Sequence, residues 1–330
     1  MDYRVKLKEL RDQRASITDK IQNLSDYRIL REEIREAQYA KIDNQGMSLF
    51  LKDFSTNELV QKITFCKSIK AQSHWYYIQV FLSYLKWDFA AGLKCSQDYI
   101  EFIQQNPSFF NNQQLLPFVS NFMYHGAITL NKSAFKMAKN QLAEISKDKT
   151  ISAAYVHYIE YTRSLEYAHF NHDSAITKEY LTKTLYLLED NIKEYEESQI
   201  QYLYMVVTRG AIDLRKYNQA SRLVNKWNQR GVLPHRKVQA ILFSLITHYK
   251  LGYLELLRSE LIQLKKIETV YKRDTNLIRL YYSFFKAALK QPTTNTYIDK
   301  LQDGLKIIHE SEIGYFKFIS FNHYEWSLQL

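Results

Sequence analysis

The stretch LRKYNQASRLVNKW, residues 214–227, ends one helical pattern and opens another. Tyr217, Ala220 and Val224 follow one another at three- and four-residue intervals, the spacing of one face of an α-helix. Tyr204 and Val207 form a large apolar pair in the pattern just before it. The stretch therefore reads as the turn and second helix of a helical hairpin. Arg215, Arg222 and Lys226 leave a second reading open, a basic helix aimed at a phosphate backbone.

Similar turns recur along the chain. They are WDFAAGLKCSQDYI near Phe89, TLNKSAFKMAKNQL near Asn131, HFNHDSAITKEYL near His172, KLGYLELLRSEL at Tyr253 and KQPTTNTYIDKL near Thr293. With Tyr217 included, the spacings are about 42, 41, 45, 36 and 40 residues, and self-similarity at such a period marks repeat architectures. Each turn joins an aromatic-rich amphipathic stretch to another. No stretch alternates apolar and polar residues with period two, and only four prolines and eight glycines are available for tight turns. The fold class expected is all-α.

Tyr217, Ala220 and Val224, with Tyr204 and Val207 before them, resemble the tetratricopeptide repeats: an aromatic late in the turn, a small residue three on, a large apolar residue four further. Thr208 and Trp227 stand where that family prefers small residues, and the period exceeds the usual roughly 34. The resemblance covers residues 56–310. It implies an α-solenoid of about six helix-turn-helix hairpins whose first helices line a concave groove. Carried over, the groove positions are Tyr202, Met205 and Arg209, then Ile241, Leu245, His248 and Tyr249. From earlier units come His74, Tyr77, Phe81 and Tyr84, and His157, Glu160 and Tyr167. The function implied is a non-catalytic protein- or peptide-binding scaffold or regulatory module. The architecture is similar to that of bacterial peptide sensors, but no helix-turn-helix motif is recognisable.

Residues 1–42 read differently. Tyr3, Leu7, Leu10, Ile17, Ile21 and Leu24 keep a heptad seam, with Arg14 the polar intruder. The register slips through Leu24, Tyr27 and Leu30 and resumes at Ile34 and Ala37, so a stutter or turn is expected near Ser25 and Asp26. A coiled-coil-like helix or helical hairpin results, and a homodimer is compatible with it. Its ten basic and eight acidic residues suggest an ion-paired, solvated face. IDNQGMSLFLKDF, 42–54, breaks the pattern, and Ser55 with Glu58 has the spacing of a capping box. At the other end, residues 311–330 form an aromatic segment with Phe318, Phe321, Tyr324 and Leu328 on one stripe, expected to cap the last hairpin or dock on another subunit.

Net charge is +10, and much of it gathers between Arg209 and Lys237. Arg215, Arg222, Lys226, Arg230, Arg236 and Lys237 form the candidate basic patch, opposed only by Asp213. The alternative function is thus a nucleic-acid-binding helical repeat using hairpin 209–237, since a phosphate backbone needs only clustered cations. The acidic run EDNIKEYEESQ, 189–199, is a ready internal counterpart. His169, His172 and Asp173 have weak metal-ligand spacing, and no metal or cofactor is expected. Phosphate-loop, dinucleotide, zinc-protease and serine-hydrolase motifs are absent, so the chain is not expected to be an enzyme. The charged start, the two isolated cysteines Cys66 and Cys95, and the shortness of the apolar run Trp75–Leu85 suggest a cytoplasmic protein that does not enter a membrane.

Overall fold

The computed structural model describes residues 3–39, 44–190, 192–271, 275–290, 295–311 and 327. Among them are fifteen α-helices and three short 3-10 turns, and no strand. The protein is all-α. Its chain divides into two units, residues 1–118 and 119–330.

In the first unit lie α1 (Tyr3–Tyr39), α2 (Asn44–Thr56), the short α3 (Glu58–Gln61), α4 (Ile69–Lys86) and α5 (Phe89–Gln105). Helix α6 (Asn112–Ile128) begins there and ends in the second unit. Tyr27, Leu30, Ile34 and Ala37 of α1 share a core with Met47, Leu51 and Phe54 of α2 and with Ile78, Leu82 and Leu85 of α4. Buried polar groups anchor the connection between them. The Asn23 amide donates to Phe65 O at 3.1 Å and accepts from Lys67 N at 2.9 Å. Trp75 Nε1 and Gln79 Nε2 both donate to Val60 O, at 3.0 and 2.7 Å.

One local expectation is narrowed and another corrected here. Of the stutter or turn expected near Ser25 and Asp26, the turn is absent, because the helix is continuous from Tyr3 to Tyr39. The register slip marks a change of face: residues from Asn23 onward enter the core, whereas residues 8–22 are exposed on every side. Nor does 42–54 break the pattern throughout. Residues 44–56 are helical, since Met47, Leu51 and Phe54 recur at helical spacing and are buried. Ser55 consequently lies inside α2, and the cap of α3 is Asn57, which accepts from Leu59 N at 3.0 Å.

The second unit holds α7 (Lys132–Ile145), α8 (Ala153–Phe170), α9 (Ser174–Asp190), α10 (Glu197–Asp213) and α11 (Tyr217–Arg230). It continues with α12 (Lys237–Leu251), α13 (Leu254–Ile267), α14 (Thr275–Ala288) and α15 (Asn295–Ser311). From α8 onward each helix packs on the next, and α10 also touches α8 and α12, as α12 touches α14. The aromatic segment 312–330 and the turn near Thr293 lie outside the described residues, apart from a buried Ser327.

Five helix-to-helix turns are built alike. Trp87, Leu130, His172, Arg215 and Gly252 take left-handed φ values of 58°, 57°, 54°, 57° and 71°. The N–H of the following residue returns in each case to a carbonyl five residues back: Ser83, Gly126, Ala168, Ala211 or His248, at 2.8–2.9 Å. This is the 6→1 bond of a Schellman motif, which satisfies a helix-end carbonyl and reverses the chain. Asp88, Asn131 and Asp173 then cap the next helix by accepting an N–H at 2.9 Å. Downstream the pattern persists in burial. Five residues after the left-handed position stand Gly92, Phe135, Thr177, Ala220 and Leu257, all buried. Twelve after it stand Tyr99, Leu142, Thr184, Trp227 and Leu264, again all buried.

The accepting carbonyl belongs to a small residue in four of the five turns. Gly126 shows the demand most directly. A Cβ there would meet Phe135 N at 2.8 Å and Phe135 Cα at 3.1 Å, and backbone cannot swing aside as a side chain can. Gly126→Ala should lower stability by about 1–3 kcal/mol through overpacking. A urea titration would register this as a lower midpoint with an unchanged slope.

Candidate functional site

Helices α1, α4 and α5 and the start of α6 line an open cavity of about 700 Å³. Arg28, Arg31 and Glu32 enter from α1, and Lys70, Ser73, His74 and Tyr77 from α4. Tyr99, Phe110, Gln114, Pro117 and Phe118 complete the wall. Such a volume suits a small ligand or one or two peptide side chains. The aromatic wall is internally braced: Tyr77 stacks on Phe81 with centroids 4.4 Å apart, and Phe118 meets Tyr99 edge-on at 4.0 Å. The Tyr99 hydroxyl is hydrogen-bonded to Ser73 Oγ, and burial pushes its pKa up to about 12, so it remains protonated and neutral.

Cations lie on this wall. The Arg31 guanidinium sits 4.8 Å from the Tyr77 ring centre, and Lys70 Nζ sits 4.7 Å from that of Phe110 while donating to Phe109 O at 2.8 Å. Glu32 is the one carboxylate in the lining, and it is drawn to Arg35 at 2.7 Å. His74 reports the resulting field. Burial, followed by Arg31, Arg28 and Lys70, lowers its pKa to about 4, so the imidazole is neutral at physiological pH. Arg31 and Lys70 beside aromatic faces, with Arg28 in the same lining, can hold an anion, and the Ser73 and Tyr99 hydroxyls lie in that lining too.

Of the groove positions read from sequence, Tyr77 and His74 face this cavity. Tyr84 instead packs edge-on against Phe81 and Phe89. In the second unit, His157 is exposed and stacks on Tyr161, while Glu160 pairs with Lys139 at 3.1 Å. Tyr249 packs edge-on against Phe284 and Phe285. Arg209 and His248 are buried, with 1% and 3% exposure, and so do not present a surface. Burial also lowers the His248 pKa.

Tyr202 belongs to a polar cluster that sequence reading did not identify. Arg163 Nη1 donates to Glu166 Oε2 at 2.7 Å and to Tyr202 Oη at 2.8 Å, and its Nε donates to Ser120 Oγ at 3.0 Å. The Tyr202 hydroxyl donates to the other Glu166 oxygen, and burial holds its pKa well above the ordinary value. Arg236 lies 5.1 Å from the Tyr202 ring centre, and Arg163 is the same distance from that of Tyr124. These groups join α8 to α10. Their hydrogen bonds are directed at one another.

The basic hairpin is divided. Arg215, Arg222, Lys226 and Lys237 are exposed. Arg230, also exposed, is held by Glu197 through Nε at 3.0 Å and Nη2 at 2.8 Å, which raises the arginine pKa and lowers that of the carboxylate. Arg236 is half-buried and donates to Met205 Sδ at 2.9 Å. Thus the surplus of cations counted in sequence is only partly available at the surface. His169 is buried with Nδ1 2.9 Å from Asp213 Oδ2, and among the described residues no three His, Cys, Asp or Glu side chains gather into a metal-binding set. No described helix is long and apolar enough to cross a membrane. Comparison with protein-family models, curated proteins and solved structures gives no match for the chain.

Proposed function

We propose that this chain is a non-catalytic helical-repeat binding module of the tetratricopeptide-like kind, whose ligand is a protein segment bearing an anionic side chain. The observation that carries the reading is the convergence of Arg28, Arg31 and Lys70 with a neutral His74 on an aromatic-walled cavity of about 700 Å³. The five repeated turns support the repeat architecture, an α-solenoid of about six hairpins. The lining offers recognition chemistry: cations, rings and hydroxyls, with the Glu32 carboxylate already drawn to Arg35. Nucleic acid is the weaker reading, because Arg209 is buried and Arg230 is occupied by Glu197.

A sulfotyrosine-containing hexapeptide with an acetylated N-terminus, an amidated C-terminus and no other ionisable side chain is a suitable probe, because its charge stays constant between pH 4 and neutrality. Arg31→Glu should weaken its binding about tenfold or more, the loss expected when a charge-assisted contact becomes a repulsive one. An anion beside His74 raises that residue's pKa from its low value, so binding takes up a proton. Affinity should therefore be flat near neutrality and rise as pH falls toward 4, and His74→Gln should flatten the profile. Fluorescence anisotropy across this range is the measurement. Equal affinity for the sulfated and unsulfated peptides would remove the reading.

A further inference from the structure

Helix α1 carries a second surface, unused by the core. Leu10, Ile17 and Ile21 are exposed by 56%, 57% and 64%, an unusual state for three apolar residues aligned on one heptad seam. At 3.6 residues per turn this seam lies roughly 140° around the helix from the buried strip Asn23, Tyr27, Leu30, Ile34 and Ala37. The two strips therefore serve different neighbours, since most helical stability in proteins comes from packing an apolar face.

The flanks say what kind of neighbour fits. The positions bordering the seam carry Lys6, Arg11, Gln13, Thr18 and Lys20, all exposed and none acidic. Glu9, Asp12 and Asp19 lie on the other side of the helix, where Asp19 pairs with Lys67 of the same unit at 2.6 Å. Arg14 occupies the seam itself and is exposed. A second copy of this chain is a poor occupant. In parallel register Arg14 would face its own counterpart across the seam, and in either orientation basic flanks would face basic or neutral ones. An anionic membrane is also a poor fit, since the apolar strip is narrow, lacks aromatic residues from Leu10 to Ile21 and is interrupted by Arg14.

We infer that the exposed seam of α1 pairs with an acidic amphipathic helix of another protein, one with apolar residues on its own heptad seam and Asp or Glu on its flanks. Such a helix meets Leu10, Ile17 and Ile21 with its apolar residues and meets Lys6, Arg11 and Lys20 with its carboxylates. Its own acidic residue opposite Arg14 sets the register. This surface lies on α1 before the cavity's Arg28 and Arg31, and the loss expected in Ile17→Asp/Ile21→Asp distinguishes it from the cavity.

The full chain should be titrated with two synthetic four-heptad peptides, both with leucine on the seam, one carrying glutamate and the other lysine at the flanking positions. The glutamate peptide should bind at least about tenfold more tightly. Binding should vanish in Ile17→Asp/Ile21→Asp, whose changes lie on exposed positions and should leave the melting curve unchanged. Lys6→Glu/Arg11→Glu/Lys20→Glu should reverse the preference between the peptides. Equal binding of the two peptides would overturn the inference. So would a seam-dependent homodimer in sedimentation, or seam-dependent binding to phosphatidylserine vesicles without binding of the glutamate peptide.

Discussion

Glu166→Ala should destabilise the protein by about 3–5 kcal/mol, because it leaves the Arg163 guanidinium in a largely desolvated site without its counter-charge. Glu166 has no solvent exposure, and the Arg163 side chain retains 17%. The carboxylate uses both oxygens: one accepts from Arg163 and the other from Tyr202. Alanine removes both acceptors at once, so the Tyr202 O–H loses its acceptor and Arg163 loses its charge-assisted bond, keeping those to Ser120 and Tyr202. Glu166→Gln keeps a shape that can accept one hydrogen bond and should lose less. Replacing both members, as Arg163→Met/Glu166→Leu, should recover most of the lost stability, since two apolar groups leave no charge uncompensated. Urea denaturation of the single and double variants measures the coupling directly. A loss below about 1 kcal/mol for Glu166→Ala would mean that solvent reaches Arg163 and that the cluster does not brace α8 against α10.

That cluster also shows where sequence reading stops. In residues 214–227 the information is local: of Tyr217, Ala220 and Val224 the last two are fully buried and Tyr217 is half-buried, while Trp227, which departs from the family pattern, is fully buried on the same side. Arg222 and Lys226 lie on its exposed side. Periodicity was enough for this because each residue's face follows from its position on the same helix. The Arg163–Glu166–Tyr202 contact is different, since an Arg and a Glu three residues apart read as an ordinary solvated helix pair until a tyrosine from another helix closes over them.

The cavity was partly legible. His74 and Tyr77 were placed on a binding surface only by the resemblance to tetratricopeptide repeats, and Arg28 and Arg31 were absorbed into the charge balance of residues 1–42. A local signal for them does exist. Continuing the heptad seam beyond Leu24 reaches Arg28 and Arg31, so the apolar strip becomes cationic where the cavity begins. Their convergence with Lys70 is tertiary, set by α1 packing on α4. The slip near Ser25 was visible as well, yet it has two physical causes, a chain turn or a change of buried face, and spacing alone does not distinguish them.

Trp227→Ala should destabilise the protein by about 3–5 kcal/mol, the range for emptying a large aromatic site in a packed core. Trp227 has no solvent exposure and occupies the buried position twelve residues beyond the turn at Arg215. Its indole N–H donates to Gln201 Oε1, and the same amide donates to Glu197 Oε1 at 2.7 Å and Gly231 O at 3.0 Å. Leu233 N also donates to Gln201 Oε1, at 3.3 Å. Gln201 thus ties α10 to the end of α11 and to the segment leading into α12, and Trp227 fixes its orientation. Trp227→Phe fills much of the volume but removes the donor, so it should cost less, about 1–2 kcal/mol more than a packing adjustment alone. Amide exchange separates the two contributions: alanine should accelerate exchange across α11, whereas phenylalanine should chiefly loosen residues 231–233, which depend on the amide. If alanine left both stability and exchange unchanged, the shared burial of Tyr99, Leu142, Thr184, Trp227 and Leu264 would be coincidence of composition, and the repeated turn would have no matching repeated packing.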